Sequence, residues 1–197
     1  MWNYKTPGVP DEMFIQGDKV PGPTKEEIRV ITISKSRLRE GAFVVEVGCG
    51  TGGLTVEAAF QVGPKGNVYA VDEDPAAVKL TKDNVEKFGL QKTVRVIQGA
   101  SPEVLSSLTA ADAFIIGGSH SLVETIRIAH EKLKTNGRIV VNAILLETAT
   151  TALEEIKKLG FKEVDVVEVF VAKGKAVKSG TMMLARNPIT IISGTKE

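Results

Sequence analysis

The sequence predicts an α/β protein with a Rossmann-like course: a mostly parallel seven-stranded sheet, its terminal strand reversed, with helices on both faces. Three observations carry this. Short apolar runs alternate with helical periodicities between residues 43 and 159, and unbroken apolar strands belong to parallel sheets covered on both sides. A glycine-rich turn follows the first such run, where a strand would hand over to a helix. Two further strand patterns close the chain with no helix between them.

Taken in order, residues 1–23 hold four of the eight prolines and are expected to form an irregular arm ahead of a single domain spanning 24–197. A helix is expected to start at Thr24. Thr24 and Glu27 have capping-box spacing, in which the hydroxyl accepts from a first-turn amide and the carboxylate reaches back to the cap. Ile28, Ile31 and Leu38 then recur at helical spacing. Strands are expected at 43–47, 67–72, 93–98, 112–117 and 138–142, with helices at 53–61, 75–88, 120–133 and 147–159. Leu122, Ile126, Ala129 and Leu133 make one apolar stripe, closed by Asn136-Gly137. Ala149, Ala152, Leu153, Ile156 and Leu159 make another, closed by Gly160. The last two patterns, FKEVDVVEVFVA and GTMMLARNPITIIS, are joined by KGKAVKS. That link is too short for a parallel crossover, so the pair must be antiparallel.

Bulk properties narrow the class. A chain of 197 residues is about one domain. Its 25 Lys and Arg against 24 Asp and Glu leave a net charge of +1, without the basic excess of a dedicated nucleic-acid binder. One cysteine allows no internal disulfide and fits a reducing compartment. No apolar run reaches the roughly 18 residues of a membrane span, and MWNYKTPGVPDEMF lacks the layout of a secretory signal. The expectation is a cytoplasmic protein that binds neither membrane nor nucleic acid.

The glycine turn admits two readings. Gly48, Gly50 and Gly53 fit the G-x-G-x-x-G turn of a dinucleotide site. Glu46, Gly48, Gly50 and Gly52 fit the E/D-x-G-x-G-x-G turn that holds S-adenosylmethionine. Asp72, 20 residues beyond Gly52 at the end of the next strand, suits the ribose of either ligand. Asp74, ahead of Pro75, is the better helix cap. Three features favour methyl transfer: the long lead before the turn, the reversed terminal strand typical of class I methyltransferases, and a chain too short for a dehydrogenase's separate substrate domain. Cys49 lacks a base nearby and is read as a packing residue.

Six stretches, in order, narrow the choice: GVPDEMF at 8–14, VPGPTKEEIR at 20–29, VEVGCGTGGLT at 45–55, GGSH at 117–120, NAILLET at 142–148 and GTMMLARNPI at 180–189. Together they resemble the cobalamin-biosynthesis methyltransferases that act on cobalt-precorrin-6B, methylating carbon 15 and decarboxylating the acetate at carbon 12. The resemblance spans almost the whole chain. It implies S-adenosyl-L-methionine contacted by Thr24, wrapped at its methionine end by Gly48, Cys49, Gly50, Thr51 and Gly52, and held at the ribose by Asp72. Relatives usually read Gly-Asp-Ala where this chain has Gly99-Ala100-Ser101, so only a backbone contact to adenine is expected at Ala100. It also implies a homotetramer and a cobalt-precorrin tetrapyrrole substrate that brings its own metal, so no protein metal site is required.

Substrate should lie at the carboxyl ends of the strands. Asn142, Glu147 and His120 are the catalytic candidates there, and Gly117, Gly118, Ser119, Thr181 and Arg186 the substrate-binding ones. Cations for the substrate's carboxylates are sought at Lys173, Lys175, Lys178, Arg186 and Arg29. His130 is read as structural. The competing readings are a tRNA adenine-type methyltransferase of the same fold and a non-catalytic S-adenosylmethionine-binding module.

Overall fold

The computed structural model describes residues 2–118 and 120–197. Seven strands form one sheet in the order β3-β2-β1-β4-β5-β9-β6. They are β1 (Phe43–Val47), β2 (Asn67–Asp72), β3 (Val94–Gln98), β4 (Ala111–Ile116), β5 (Leu133–Ala143), β6 (Lys162–Val169) and β9 (Ile189–Thr195). The first five run parallel; β9 lies antiparallel between β5 and β6. The helices are α1 (Glu26–Ser36), α2 (Gly53–Val62), α3 (Pro75–Lys87), α4 (Ser101–Ser106), α5 (Leu122–Lys132) and α6 (Leu146–Lys158).

Strand alternation divides the core. Val45, Val47, Phe114 and Ile116 point to the face covered by α4, α5 and α6, where Leu105, Ile126 and Ile156 meet them. Val44, Ala113 and Ile115 point to the other face, against Ile33, Leu54, Ala58 and Val85 from α1, α2 and α3. Both faces are buried, which is why these strands read as near-continuous apolar runs.

Three expectations need correction. The helix expected at Thr24 begins at Glu26, and neither Thr24 nor the flanking Lys25 caps it. The Glu26 amide instead donates to Asp11 Oδ1 at 2.9 Å, so an acid from the arm does by tertiary contact what the capping box would have done locally. Each terminal pattern also splits in two. KGKAVKS is mostly strand: β7 (Ala172–Val177) pairs antiparallel with β8 (Gly180–Ala185) in a separate two-stranded ribbon, exposed along its whole length. The antiparallel pairing holds, but in the main sheet it joins β6 to β9. Finally, α4 fills the stretch between the expected strands at 93–98 and 112–117, where no helix was expected. At α3 the expectation holds, since Asp74 accepts from the Ala76 amide at 2.8 Å ahead of Pro75.

The arm is docked on the body. Val9 and Phe14 pack against Val56 and Phe88, and Val20 against Ala77 and Leu80. Arg29, fully buried on α1, joins the two: Nη1 donates to Asp11 Oδ1 at 2.7 Å, Nε to Glu57 Oε1 at 3.4 Å, and the guanidinium also meets the carbonyls of Val9 and Thr24. Its charge is consumed there, so Arg29 is not a cation for substrate. No helix of the described residues is long and apolar enough to cross a membrane.

Candidate active site

The sheet reverses its order between β1 and β4, and at such a switch point the loops from neighbouring strands part and leave a crevice. The turn after β1 is built for close approach. Gly48, Gly50 and Gly52 have φ of 76°, 53° and 83°, a left-handed region that costs glycine nothing. They serve different ends. A Cβ on Gly48 would stand 2.5 Å from the Gly118 carbonyl oxygen, so the β1 and β4 loops touch backbone to backbone there. A Cβ on Gly52 would press on Thr81 at 3.1 Å. A Cβ on Gly50 would meet nothing within 4 Å. Two glycines therefore set packing, and the third leaves room.

Next to the turn is a first cavity of about 300 Å³, lined by Gly48, Asp72, Glu73, Gly99, Gly118 and His120 among others, with Gly50 outside its lining. Asp72 accepts from the amides of Gly50 (2.9 Å) and Asp74 (3.0 Å), which fixes its carboxylate at the rim. His120 pairs with Glu73 across the same rim. Ala100 is exposed and is not part of the lining, although its neighbours Gly99 and Ser101 are. Thr51 is buried and donates to the Pro21 carbonyl at 2.7 Å, tying the turn to the arm.

Beneath the turn, Glu46 is buried on β1 and accepts from the Thr55 hydroxyl. Burial pushes its carboxyl up to about 8; the Thr55 bond opposes this and the nearby Asp72 charge adds to it. Burial likewise pushes the Cys49 thiol up, and its sulfur accepts from Thr81 at 3.4 Å. A buried thiol held protonated packs and does not attack.

A second cavity of about 490 Å³ opens beside the first. It gathers Thr24, Gly117, Asn142 and Arg186 from four separate segments, with Ile28, Ile144, Val171 and Ile189 as apolar wall. Asn142 Oδ1 lies 3.1 Å from the Thr32 hydroxyl, while its Nδ2 is buried with no hydrogen-bond partner. A buried amide donor left unpaired costs about 1–3 kcal/mol. Gly117 lines the second cavity and Gly118 the first, and neither interposes a side chain.

The remaining candidates lie elsewhere. Glu147, exposed on the first turn of α6, shares a groove of about 900 Å³ between α5 and α6 with His120, which thus borders both the groove and the first cavity. Thr181 is exposed on the ribbon. Ser119 lies outside the described residues. His130 stacks edge-on against Phe161 at 4.9 Å, and burial lowers its pKa. Lys173 pairs with Glu26 and Glu27. No group of three or more His, Cys, Asp or Glu side chains suited to a metal occurs among the described residues. Sequence reasoning missed Thr32 and Glu73, which reach the site only through the fold, and did not single out Asn187 within GTMMLARNPI.

Known proteins resemble this chain over nearly its whole length. A protein from Sulfolobus acidocaldarius called "Probable cobalt-precorrin-6B C(15)-methyltransferase (decarboxylating)" is 50% identical over 98% of this chain and 100% of its own. The crystal structure of a precorrin 8w decarboxylase from Methanobacterium thermoautotrophicum superposes with a TM-score of 0.90 at 41% identity, covering 94% of this chain and 98% of that one. A tRNA (m1A58) methyltransferase from Aquifex aeolicus, 16% identical over 96% of this chain and 76% of its own, has a TM-score of 0.77 and shares the class I fold alone. Residues 12–196 match the family model described as the precorrin methyltransferase domain, and the chain belongs to that family.

Proposed function

We propose that this protein is an S-adenosylmethionine-dependent, decarboxylating methyltransferase that acts on carbon 15 of cobalt-precorrin-6B in cobalamin biosynthesis. The observation that carries the reading is the pair of neighbouring cavities at the carboxyl end of β4, where Gly117 lines one and Gly118 the other. Two ligands seated there could face one another closely, as transfer of a methyl group demands.

The first cavity fits S-adenosylmethionine. Its volume reaches the range of small-molecule sites, about 300–1,000 Å³. Gly50 leaves open space at the turn, and the Asp72 carboxylate is positioned to accept from ribose hydroxyls. When bound, the cofactor supplies an electrophilic methyl group on sulfur. The second cavity takes the macrocycle edge against its apolar wall, which excludes water. The bridge carbon of the conjugated ring is its own nucleophile, so Gly117, Thr24 and the wall need only align it. Asn142 Nδ2 donates to the acetate to be lost, and His120 with Glu147 serves the return of the proton. Arg186, in the wall of the second cavity, completes the substrate side, and the family resemblance adds Ser119 and Thr181 as further candidates.

The protein assembles as a homotetramer through the β7–β8 ribbon. The exposure of Phe170 (73%), Met183 (61%) and Met182 (47%) supports this assignment, and sedimentation of Met183→Glu as a smaller species than wild type is the check.

Mass spectrometry of the tetrapyrrole after incubation with cobalt-precorrin-6B and S-adenosylmethionine tests the activity. The expected product has gained a methyl group and lost carbon dioxide. His120→Ala and Glu147→Gln should accumulate a methylated product that keeps its carboxylate. An unaltered substrate mass with the wild-type protein would sink the proposal.

A further inference from the structure

A pocket for a polycarboxylate ought to be cationic, yet the mouth of the second cavity is neutral. Three cations stand there, Lys25, Lys173 and Arg186, and three acids answer them, Asp11, Glu26 and Glu27. Arg186 lines the cavity, but its Nη1 donates to Glu27 Oε2 at 2.8 Å and its Nη2 lies 3.8 Å from Asp11. Any substrate carboxylate reaching Arg186 meets a guanidinium already occupied by a carboxylate of the protein.

The two acids differ in what they can give up. Asp11 is only 12% exposed and is committed to the buried Arg29 at 2.7 Å and to the Glu26 amide. Glu27 is 34% exposed and sits in the first turn of α1. If it loses Arg186 it keeps water, Lys173 at 3.7 Å and the favourable end of the helix dipole. Removing Glu27 from Arg186 is therefore cheap, while Asp11 stays where it is.

We infer that Glu27 is a built-in competitor for the carboxylate side chains of the tetrapyrrole: it occupies Arg186 at the cavity mouth until an acetate or propionate of the substrate takes its place. This rests on the substrate placement proposed above. The exchange swaps one bidentate-capable partner for another, so Arg186 is never left without a counter-charge. It also sets a threshold. A ligand lacking a carboxylate at that position has nothing to offer Arg186, and Glu27 keeps it. Glu27 is thus a specificity-determining residue that acts through Arg186 without lining the cavity itself.

The experiment measures binding of uroporphyrin I, a cyclic tetrapyrrole with acetate and propionate side chains, by fluorescence in the presence of S-adenosylhomocysteine. Removing the competitor in Glu27→Gln should tighten binding about two- to fivefold, the range of a part-exposed ion pair. Arg186→Gln should weaken it about tenfold or more, the loss of a charge-assisted bond. The double variant should bind no better than Arg186→Gln alone, because Glu27 acts only through that arginine. Glu27→Asp, with its charge kept and its reach shortened, should fall between wild type and Glu27→Gln. A merely structural ion pair predicts the opposite sign, since losing it would loosen the β8–β9 corner against α1 and weaken binding. Wild-type protein that binds no uroporphyrin refutes the substrate placement, and the exchange with it. Wild-type protein that binds, together with Glu27→Gln that binds equally or more weakly, refutes the exchange alone.

Discussion

The two cavities stand side by side at one edge of the sheet and are made in different ways. The first leans on backbone: Gly48, left-handed and pressed against the β4 loop, with Gly99 and Gly118 beside it in the lining, and one carboxylate fixed by two amides. Its lining comes from the carboxyl ends of β1, β2, β3 and β4, which the parallel course of the sheet brings to one edge. The second is a side-chain construction. Thr24 arrives from the junction of arm and α1, Asn142 from β5, and Arg186 from the link between β8 and β9, and only the fold sets their partners Arg29, Thr32 and Glu27 against them. A backbone cavity tolerates almost any sequence that keeps its glycines. A side-chain cavity depends on a distant scaffold, and its specificity can be rewritten one residue at a time.

The largest expected effect therefore falls on the scaffold of the second cavity. Asp11→Ala removes the acid that caps α1 and leaves the buried Arg29 short of a counter-charge. Breaking one side of a buried pair costs about 3–5 kcal/mol. Urea unfolding should show that loss, and a change below about 1 kcal/mol would mean that the arm contributes little to holding the second cavity.

The first cavity has its own concealed cost, visible through pH. Burial raises the Glu46 carboxyl from 4.5 to about 8, so the folded state binds its proton more tightly than the unfolded chain does. Stability from this group is complete below pH about 4.5 and is lost as pH rises through about 8. The whole window is worth on the order of 5 kcal/mol. Glu46→Gln keeps the acceptor for Thr55 and cannot ionise, so its stability should run flatter than wild type between pH 5 and 8 (roughly the window set by these values). Parallel curves would show that Glu46 is not buried as a neutral acid.

Glycine substitutions test the backbone character directly. Gly48→Ala puts a Cβ in a left-handed conformation against the Gly118 carbonyl and should cost about 2–4 kcal/mol of stability. Gly50→Ala shares the strain but meets open space, so it should cost only about 1–2 kcal/mol while obstructing S-adenosylmethionine. Calorimetry that finds normal cofactor affinity in Gly50→Ala would break the assignment of the first cavity.

This division also explains what could be read in advance. The strands, the glycine turn and Asp72 were legible because apolar period and glycine spacing are local signals. The capping box was misread because Thr24 and Glu27 have the right spacing, while the structure gives the cap to Asp11, fifteen residues before Glu26, and gives Glu27 to Arg186. The role of Arg29 as a buried clamp was hidden for the same reason: a lone arginine on a helix carries no sign of which acids the fold will bring to it. The β7–β8 ribbon escaped because its residues are exposed on both faces, so neither strand shows alternation between core and solvent.

The smallest expected effect belongs to Thr24. On the page of the sequence it was a helix cap, worth about 0.5–2 kcal/mol. In the folded chain its side chain caps nothing: α1 starts at Glu26 and draws its cap from Asp11. What Thr24 contributes to the scaffold is its carbonyl, which accepts from Arg29 and survives any change of side chain. Thr24→Val, nearly isosteric, should therefore change stability by less than about 0.5 kcal/mol. It should leave S-adenosylmethionine affinity unchanged, since Thr24 borders the second cavity and not the first. Unfolding of this variant beside Asp11→Ala gives the contrast its sharpest form, because the two residues exchange the roles that spacing alone would assign them. A loss of the size of a missing cap in Thr24→Val, with Asp11→Ala nearly silent, would restore the local capping box and remove the arm from the account of the second cavity.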